Sequence, residues 1–268
     1  MEFLGSFKGR IKSFDSTDLY YVNDIPLNPR AIIVIVHGFG EHLGRYEYVK
    51  DKFLDCGYGV IRLDNRGHGK SGGERGHINS FKDFAKDIDV IIELIRNERP
   101  NIPIFMLGHS MGGFIAGVYG VLYKNKLRGQ IFSGAATITP NQARGIKMIL
   151  LRLVNKSLPK MRMKNPLADN EEDELILRSA TFNFYIEFLY TGIRWLRDNS
   201  INYEYPCLIL HGEYDKVVDK EGSMQFYSSI SSKDKDIKIY EGLKHEILNH
   251  EGSDVALEDI HRWIEERR

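Results

Sequence analysis

The chain is poor in cysteine, has no excess charge of either sign and contains no long apolar run. Its two cysteines, Cys56 and Cys207, lie far apart and form neither a metal-ligand spacing nor a disulfide framework. They read as reduced, buried thiols of an intracellular protein. Lys and Arg number 37 and Asp and Glu number 37, so the basic surplus expected of a nucleic-acid binder is missing. No apolar stretch approaches the ~20 residues needed to span a bilayer. The opening MEFLGSFKGRIKSFDSTDLYY lacks the apolar core and small-residue cleavage site of a secretory signal. A cytoplasmic protein is expected, at most peripheral at a membrane. There is no internal repeat and no low-complexity segment. What remains is an ordinary globular balance, 42% apolar and 28% charged over 268 residues. A chain of this size buries roughly three quarters of its unfolded surface and needs no covalent staple.

Short β-rich runs alternate with longer segments of helical period. The runs fall at 31–36, 58–64, 102–108, 127–135, 205–212 and 236–242. Several are apolar on both faces, the pattern of central strands in a parallel sheet covered by helices. Between them, RYEYVKDKFLDCG aligns Tyr46, Val49, Phe53 and Leu54 and stops at Gly57. SFKDFAKDIDVIIELIRNERP opens with a Ser80 cap and is halted by Pro100. VALEDIHRWIEERR closes the chain, with Arg267 and Arg268 at its negative end. This alternation predicts an α/β doubly wound fold. It breaks between about 137 and 203, where helical periodicity continues without a β-rich run. The expected organisation is therefore a core from 1–136 and 204–268, with a helical insertion at 137–203.

GHSMGG at 108–113 places a serine between glycines, after an apolar strand and before a small-residue helix. It fits G-x-S-x-G in the strand–turn–helix context that this motif requires. Gly108 and Gly112 allow strand and helix to approach closely, and Ser110 is held over the helix N-terminus, where backbone N–H groups and the helix dipole favour an anion. Such a serine needs a base, and the base needs an orienting carboxylate. HGEYDKVVD offers Asp215 after one strand, and GLKHEILNH offers His245 after the next. The order Ser110, Asp215, His245 is the one this fold uses. Asp219 is the rival acid, though it suits a cap on the following helix. His68 and His77 in the glycine-rich loop read as structural hydrogen bonders, His211 as a strand-end residue bonded to backbone, and His250 and His261 as surface residues. An oxyanion hole requires two aimed N–H groups. Met111, next to the serine, supplies one, and Phe39 in HGFG (37–40) the other.

Five segments in order, HGFGEHLGRY, DNRGHGKSGGERGHINSF, GHSMGG, HGEYDKVVD and GLKHEIL, resemble the monoacylglycerol lipase and lysophospholipase branch of the α/β-hydrolases. The resemblance spans 37 to about 250, apart from most of the insertion. It implies an α/β-hydrolase fold, with a mostly parallel central sheet flanked by helices and a helical cap inserted before the last strands. It implies a Ser110–Asp215–His245 triad, the Phe39 and Met111 oxyanion hole, and a long-chain monoacylglycerol as substrate. Lysophospholipids and short-chain esters are the alternatives, and S33-type aminopeptidases are related. No metal or organic cofactor is required. Glu41, Arg45 and His109 become contacts for the glycerol head; Glu41 and Arg45 also suit an ion pair that holds their loop. A cap stretch that commonly reads Asp-Pro-Leu in the family falls here at Ala180-Thr181-Phe182, a departure.

The insertion carries its own pattern. NQARGIKMILLRLVNKSLPKMRMK (141–164) holds seven Lys or Arg and no acid. Ile146, Ile149, Leu150, Leu153 and Val154 form one apolar stripe, expected to pack down over the site. The basic face is left to solvent or to an anionic membrane surface. ATFNFYIEFLYTGIRWL is rich in aromatics and either lines an acyl tunnel or fills the insertion's own core. An aminopeptidase would want acids near the site, and Asp169, Glu171, Glu172, Asp173 and Glu174 form such a run, read as a solvated face.

Overall fold

The β-branched runs lie side by side at the centre of an eight-stranded sheet in a computed structural model that describes residues 6–138, 153–168, 172–249 and 253–268. The elements follow as β1 (Phe7–Lys12), β2 (Asp18–Asp24), β3 (Ile32–Val36), α1 (Glu47–Asp55), β4 (Gly59–Leu63), α2 (Lys82–Glu98), β5 (Ile104–His109), α3 (Met111–Leu122) and β6 (Gly129–Ser133). Then come β7 (Arg162–Lys164), β8 (Ser179–Thr181), α4 (Phe182–Tyr185), α5 (Ile193–Asn199), β9 (Cys207–Gly212), α6 (Glu221–Ser229), β10 (Lys235–Tyr240) and α7 (Ser253–Glu265). The strand order is β1-β2-β4-β3-β5-β6-β9-β10. From β4 to β10 every neighbouring pair is parallel; β1 with β2 and β2 with β4 are antiparallel.

Strand periodicity divides the core. Ile32, Val34 and Val36 face the layer built with α2 and α3, whereas Ile33 and Ile35 face α1 and α7. Every residue of β3, β4, β5, β6 and β9 is buried, which explains their near-continuous apolar sequence. Each large aliphatic side chain so buried contributes about 1.5–3 kcal/mol.

The structure adds strands that the sequence pattern hides. β1 and β2 form a hairpin at the sheet edge, where β1 is largely exposed and carries charged side chains. β7 and β8 make a small antiparallel ribbon in the insertion, against the expectation that it holds no strand. Three residues per strand are too few for a periodicity to register. One helix start shifts as well. The residue preceding α2 is Phe81, with no side-chain cap, although Ser80 Oγ still accepts the Lys82 N–H at 3.3 Å. α1 ends at Asp55, and Gly57 adopts φ 81°, the left-handed conformation that lets the chain turn into β4. α4 and α5 are joined by a π-helical segment (Ile186–Gly192), a distortion that recurs at functional sites.

Of the predicted apolar stripe, Ile146, Ile149 and Leu150 lie outside the described residues. Leu153 and Val154 are exposed, so these two do not pack down. Among the described residues no helix is long and apolar enough to cross a membrane.

Candidate active site

The parallel strands deliver their carboxyl ends to one edge of the sheet, and the site grows there. β5 ends at His109, α3 begins at Met111, and Ser110 alone makes the turn with φ 53° and ψ −114°. A non-glycine residue in that region stores about 1–3 kcal/mol of strain, held by its surroundings. Ser110 N–H donates to Ser133 O at 2.9 Å, and Ser110 O accepts from Gly113, Phe114 and Ala136 N–H at 3.0, 3.2 and 3.0 Å. The glycines are required by proximity: a Cβ on Gly108 would lie 2.3 Å from Gly112 O, and one on Gly112 would lie 2.0 Å from Val36 O.

His245 sits in the loop after β10, 8% exposed, with its Nδ1–H donating to Asp215 Oδ2 at 2.6 Å. That bond places the proton on Nδ1 and leaves a lone pair on Nε2. Asp215, in the loop after β9, has a fully buried side chain. Its Oδ1 accepts from Val217 and Val218 N–H, both at 2.8 Å. Burial works against its charge, but hydrogen bonds from His211, His245 and the Val218 amide outweigh burial and hold the carboxyl well below its usual range. Asp219 is exposed, and its Oδ1 accepts the Glu221 N–H at 3.0 Å at the start of α6.

Ser110 and His245 line one cavity of about 70 Å³. No hydrogen bond joins them among the described residues, and such contacts often tighten only when substrate binds. The amides of Phe39 and Met111 likewise have no acceptor among the described residues. The Phe39 loop is held rigidly. Asn65 N–H donates to His37 Nε2 at 2.9 Å, and Gly38 N–H donates to Glu41 Oε2 at 2.8 Å. Glu41 also accepts from Tyr46 OH at 2.9 Å and pairs with Arg45 at 3.5 Å. Glu41 and Arg45 thus brace the loop and also line the cavity.

His109 is 2% exposed and its ring lies 4.8 Å from that of His245. Its Nδ1 bonds Ser133 O at 3.1 Å and its Nε2 faces Glu246 Oε1 at 3.5 Å. Burial opposes a charge on this imidazole, yet the Glu246 carboxylate pushes its pKa up to about 9.

A second cavity, of about 360 Å³, also reaches Ser110 and is mostly apolar, with Ala136, Tyr185, Phe188, Leu189 and Val218 among its lining. Ser110, Phe39, Asn165 and Leu167 line both cavities. The aromatic segment divides between this cavity and the main core, and among the described residues does not form a core of the insertion's own. Tyr185 and Phe188 face this cavity, while Phe184 and Trp195 pack against Phe84 and Phe81.

Several residues of the site escaped the sequence. Glu246 was masked by its neighbour His245. Asn165, Leu167 and Ile176 come from the insertion, where no local pattern marks them. His211 bonds backbone as expected, at Val218 O (3.0 Å), but also reaches Asp215 Oδ2 at 3.1 Å and Ser223 Oγ at 2.8 Å. By contrast, Ala180 and Thr181 are buried, and with Phe182 they line neither cavity; Thr181 Oγ1 accepts the Phe184 N–H instead. Of the remaining histidines, His68 and His77 are engaged structurally with Arg66 O and Thr181, and His261 with Tyr58 OH. His250, Asp169 and Glu171 lie outside the described residues. Asp173 is paired with His42 at 2.7 Å, and Glu172 and Glu174 are exposed.

A mostly parallel sheet, a strained serine at a strand–helix turn and a buried histidine–aspartate pair define an α/β-hydrolase. The chain belongs to the serine aminopeptidase, S33 family, whose model matches residues 27–252. It is 30% identical to the monoacylglycerol lipase of Mycolicibacterium smegmatis, over 88% of this chain and 89% of that protein. It is also 30% identical to phospholipase YtpA of Bacillus subtilis, over 82% of this chain and 90% of that one. The crystal structure of a Paleococcus ferrophilus monoacylglycerol lipase superposes with a TM-score of 0.81 at 27% identity, covering 93% of this chain and 99% of that one. The chain is an ester hydrolase.

Proposed function

We propose that the protein hydrolyses monoacylglycerols to fatty acid and glycerol through an acyl-enzyme on Ser110. The observation that carries this reading is that Ser110 lines both a small cavity of mixed polarity, with Glu41, Arg45, His109 and Glu246 in its wall, and a larger, mostly apolar one. A monoacylglycerol has that same division, a compact hydroxylated head on one side of the ester and a long chain on the other. The names of relatives such as the M. smegmatis enzyme support the same substrate class.

In this mechanism His245 Nε2 takes the Ser110 proton while Asp215 holds the ring and stabilises its charged form. Ser110 Oγ attacks the ester carbonyl, and the Phe39 and Met111 N–H groups hold the resulting oxyanion. Each such donor is worth about 3–4 kcal/mol in the transition state. His245 then protonates the leaving glycerol and activates water to release the fatty acid. Glu41, Arg45 and His109 contact the glycerol hydroxyls, and Tyr185, Phe188 and Leu189 contact the acyl chain. Residues 137–203 act as the cap between core segments 1–136 and 204–268. Exposed Leu153, Leu158, Met161 and Leu167 occur with Lys156, Lys160, Arg162 and Lys164 on this segment. This composition suits peripheral contact with an anionic lipid surface.

The test is fatty-acid release from a long-chain monoacylglycerol, beside a diacylglycerol, a lysophospholipid, a short nitrophenyl ester and an aminoacyl amide, with Ser110→Ala as control. Monoacylglycerol is expected to be turned over fastest, and the variant to be inactive. Preference for the lysophospholipid or for the short ester alone would overturn the substrate, and full activity in Ser110→Ala would overturn the nucleophile.

A further inference from the structure

Beside Ser110 lies a cluster of His109, His245 and Glu246, in which ester hydrolysis gives Glu246 no role. Ligand atoms of His109, His245 and Glu246 lie within 4.8 Å of one another. His109 Nε2 and Glu246 Oε2 are buried and have no hydrogen-bond partner. The first belongs to a side chain 98% removed from solvent, 2% exposed. The engagement of the two side chains with each other is a long ion pair, Nε2 to Oε1 at 3.5 Å, which leaves both atoms short of a close partner.

We infer that this cluster is an inhibitory zinc site, with His109 Nε2, His245 Nε2 and Glu246 as ligands and a fourth position open to the cavity beside Ser110. The inference rests on the proposed role of His245 only for its inhibitory consequence. Zn–N and Zn–O bonds of ~2.0–2.2 Å in a tetrahedron set the ligand atoms about 3.4 Å apart. His109 Nε2 and Glu246 Oε1 stand at 3.5 Å, and the His245 ligand atom lies within 4.8 Å of both neighbours. Both imidazoles already have the outer partners that zinc-binding histidines use: His109 Nδ1 bonds Ser133 O, and His245 Nδ1 bonds the Asp215 carboxylate. Two nitrogens and one carboxylate suit zinc and not the hard cations magnesium and calcium. Zinc bound here occupies the lone pair that takes the Ser110 proton, so hydrolysis stops while the metal remains and resumes when a chelator removes it.

The experiment uses the full chain, stripped with chelator and titrated with zinc chloride against a chromophoric competitor at mildly alkaline pH. One zinc per chain is expected, bound equally by wild type and Ser110→Ala and at least tenfold more weakly by Glu246→Gln and His109→Gln. Wild-type esterase activity is expected to fall with the same midpoint and to ignore magnesium. Cobalt(II) bound to the wild-type chain is expected to give the intense visible spectrum of a four-coordinate ion, a readout that needs no variant. Circular dichroism checks that each variant folds. Failure to bind zinc at submillimolar concentration, or equal binding by wild type and both variants, overturns the site. Zinc binding by a chain that turns over no ester keeps the site and rejects the proposed function.

Discussion

Replacing Asp215 by Asn removes one charge and almost no volume, yet it is expected to disable the enzyme. The reason lies in four hydrogen bonds. Oδ1 accepts two amides, Val217 and Val218, each at 2.8 Å, and Oδ2 accepts His245 Nδ1 at 2.6 Å and His211 Nε2 at 3.1 Å. An asparagine keeps its carbonyl oxygen against the two amides, because nothing else there can accept them. Its NH2 then points at His245. An NH2 cannot accept a hydrogen bond, so His245 moves its proton to Nε2 and loses the lone pair that Ser110 needs. Triads with this wrong tautomer lose ~10⁴ in kcat, equivalent to about 5.5 kcal/mol of transition-state stabilisation. The assay is steady-state hydrolysis of a nitrophenyl ester, with circular dichroism to establish folding and fluorophosphonate labelling to report Ser110 reactivity. KM is expected to change little, since Asp215 lines neither cavity. A folded Asp215→Asn protein within tenfold of wild-type kcat would refute the argument, as would a larger loss in Asp219→Asn.

His211→Phe is expected to lower kcat about 10-fold or more with KM unchanged, because Asp215 loses one of its donors; His211→Gln, which keeps a donor, should recover most of it, and equal losses in both would reduce His211 to packing. Leu189→Trp intrudes on the apolar cavity and should displace about two to three methylenes of a long acyl chain, costing about 2 kcal/mol at ~0.8 per methylene. Long-chain turnover should therefore fall about thirtyfold with the short ester spared, which paired kcat/KM values will check. His68 is buried beside His37, and burial, followed by that neighbour, pushes its pKa down to about 3. The unfolded ring titrates near ~6.5, so below that pH the unfolded chain binds the extra proton. Stability is then complete above ~6.5 and drops by about 3 kcal/mol at about pH 4.5. Urea midpoints across that range should show the slope in wild type and a shallower one in His68→Gln. Gly112→Ala forces a Cβ to 2.0 Å from Val36 O and is expected to cost more than the ~1–3 kcal/mol of ordinary overpacking, read as loss of soluble, folded protein.

The parts legible in the sequence are those whose physics is local. A central strand buried on both faces must be apolar throughout, so β3, β5 and β9 stand out as runs. A serine turn between tightly packed strand and helix must be flanked by glycine, so GHSMGG stands out as well. The edge strands β1 and β10 and the ribbon β7–β8 face water or are very short, and their alternation carries little signal; β10 was legible from its β-branched residues, the other three were not.

Sequence alone determined the sheet's central runs, the serine elbow and the short set of acids and histidines able to serve it. Composition and spacing act within a few residues, and each of these features is made within a few residues. Tertiary structure alone decided that Asp215, the acid the sequence favoured, is buried against His245, that His211 and Glu246 join the cluster, and that Asn165 and Leu167 arrive from the insertion to line both cavities. Burial and the meeting of groups far apart along the chain are properties of the packed sheet and its loops. No window of sequence contains them.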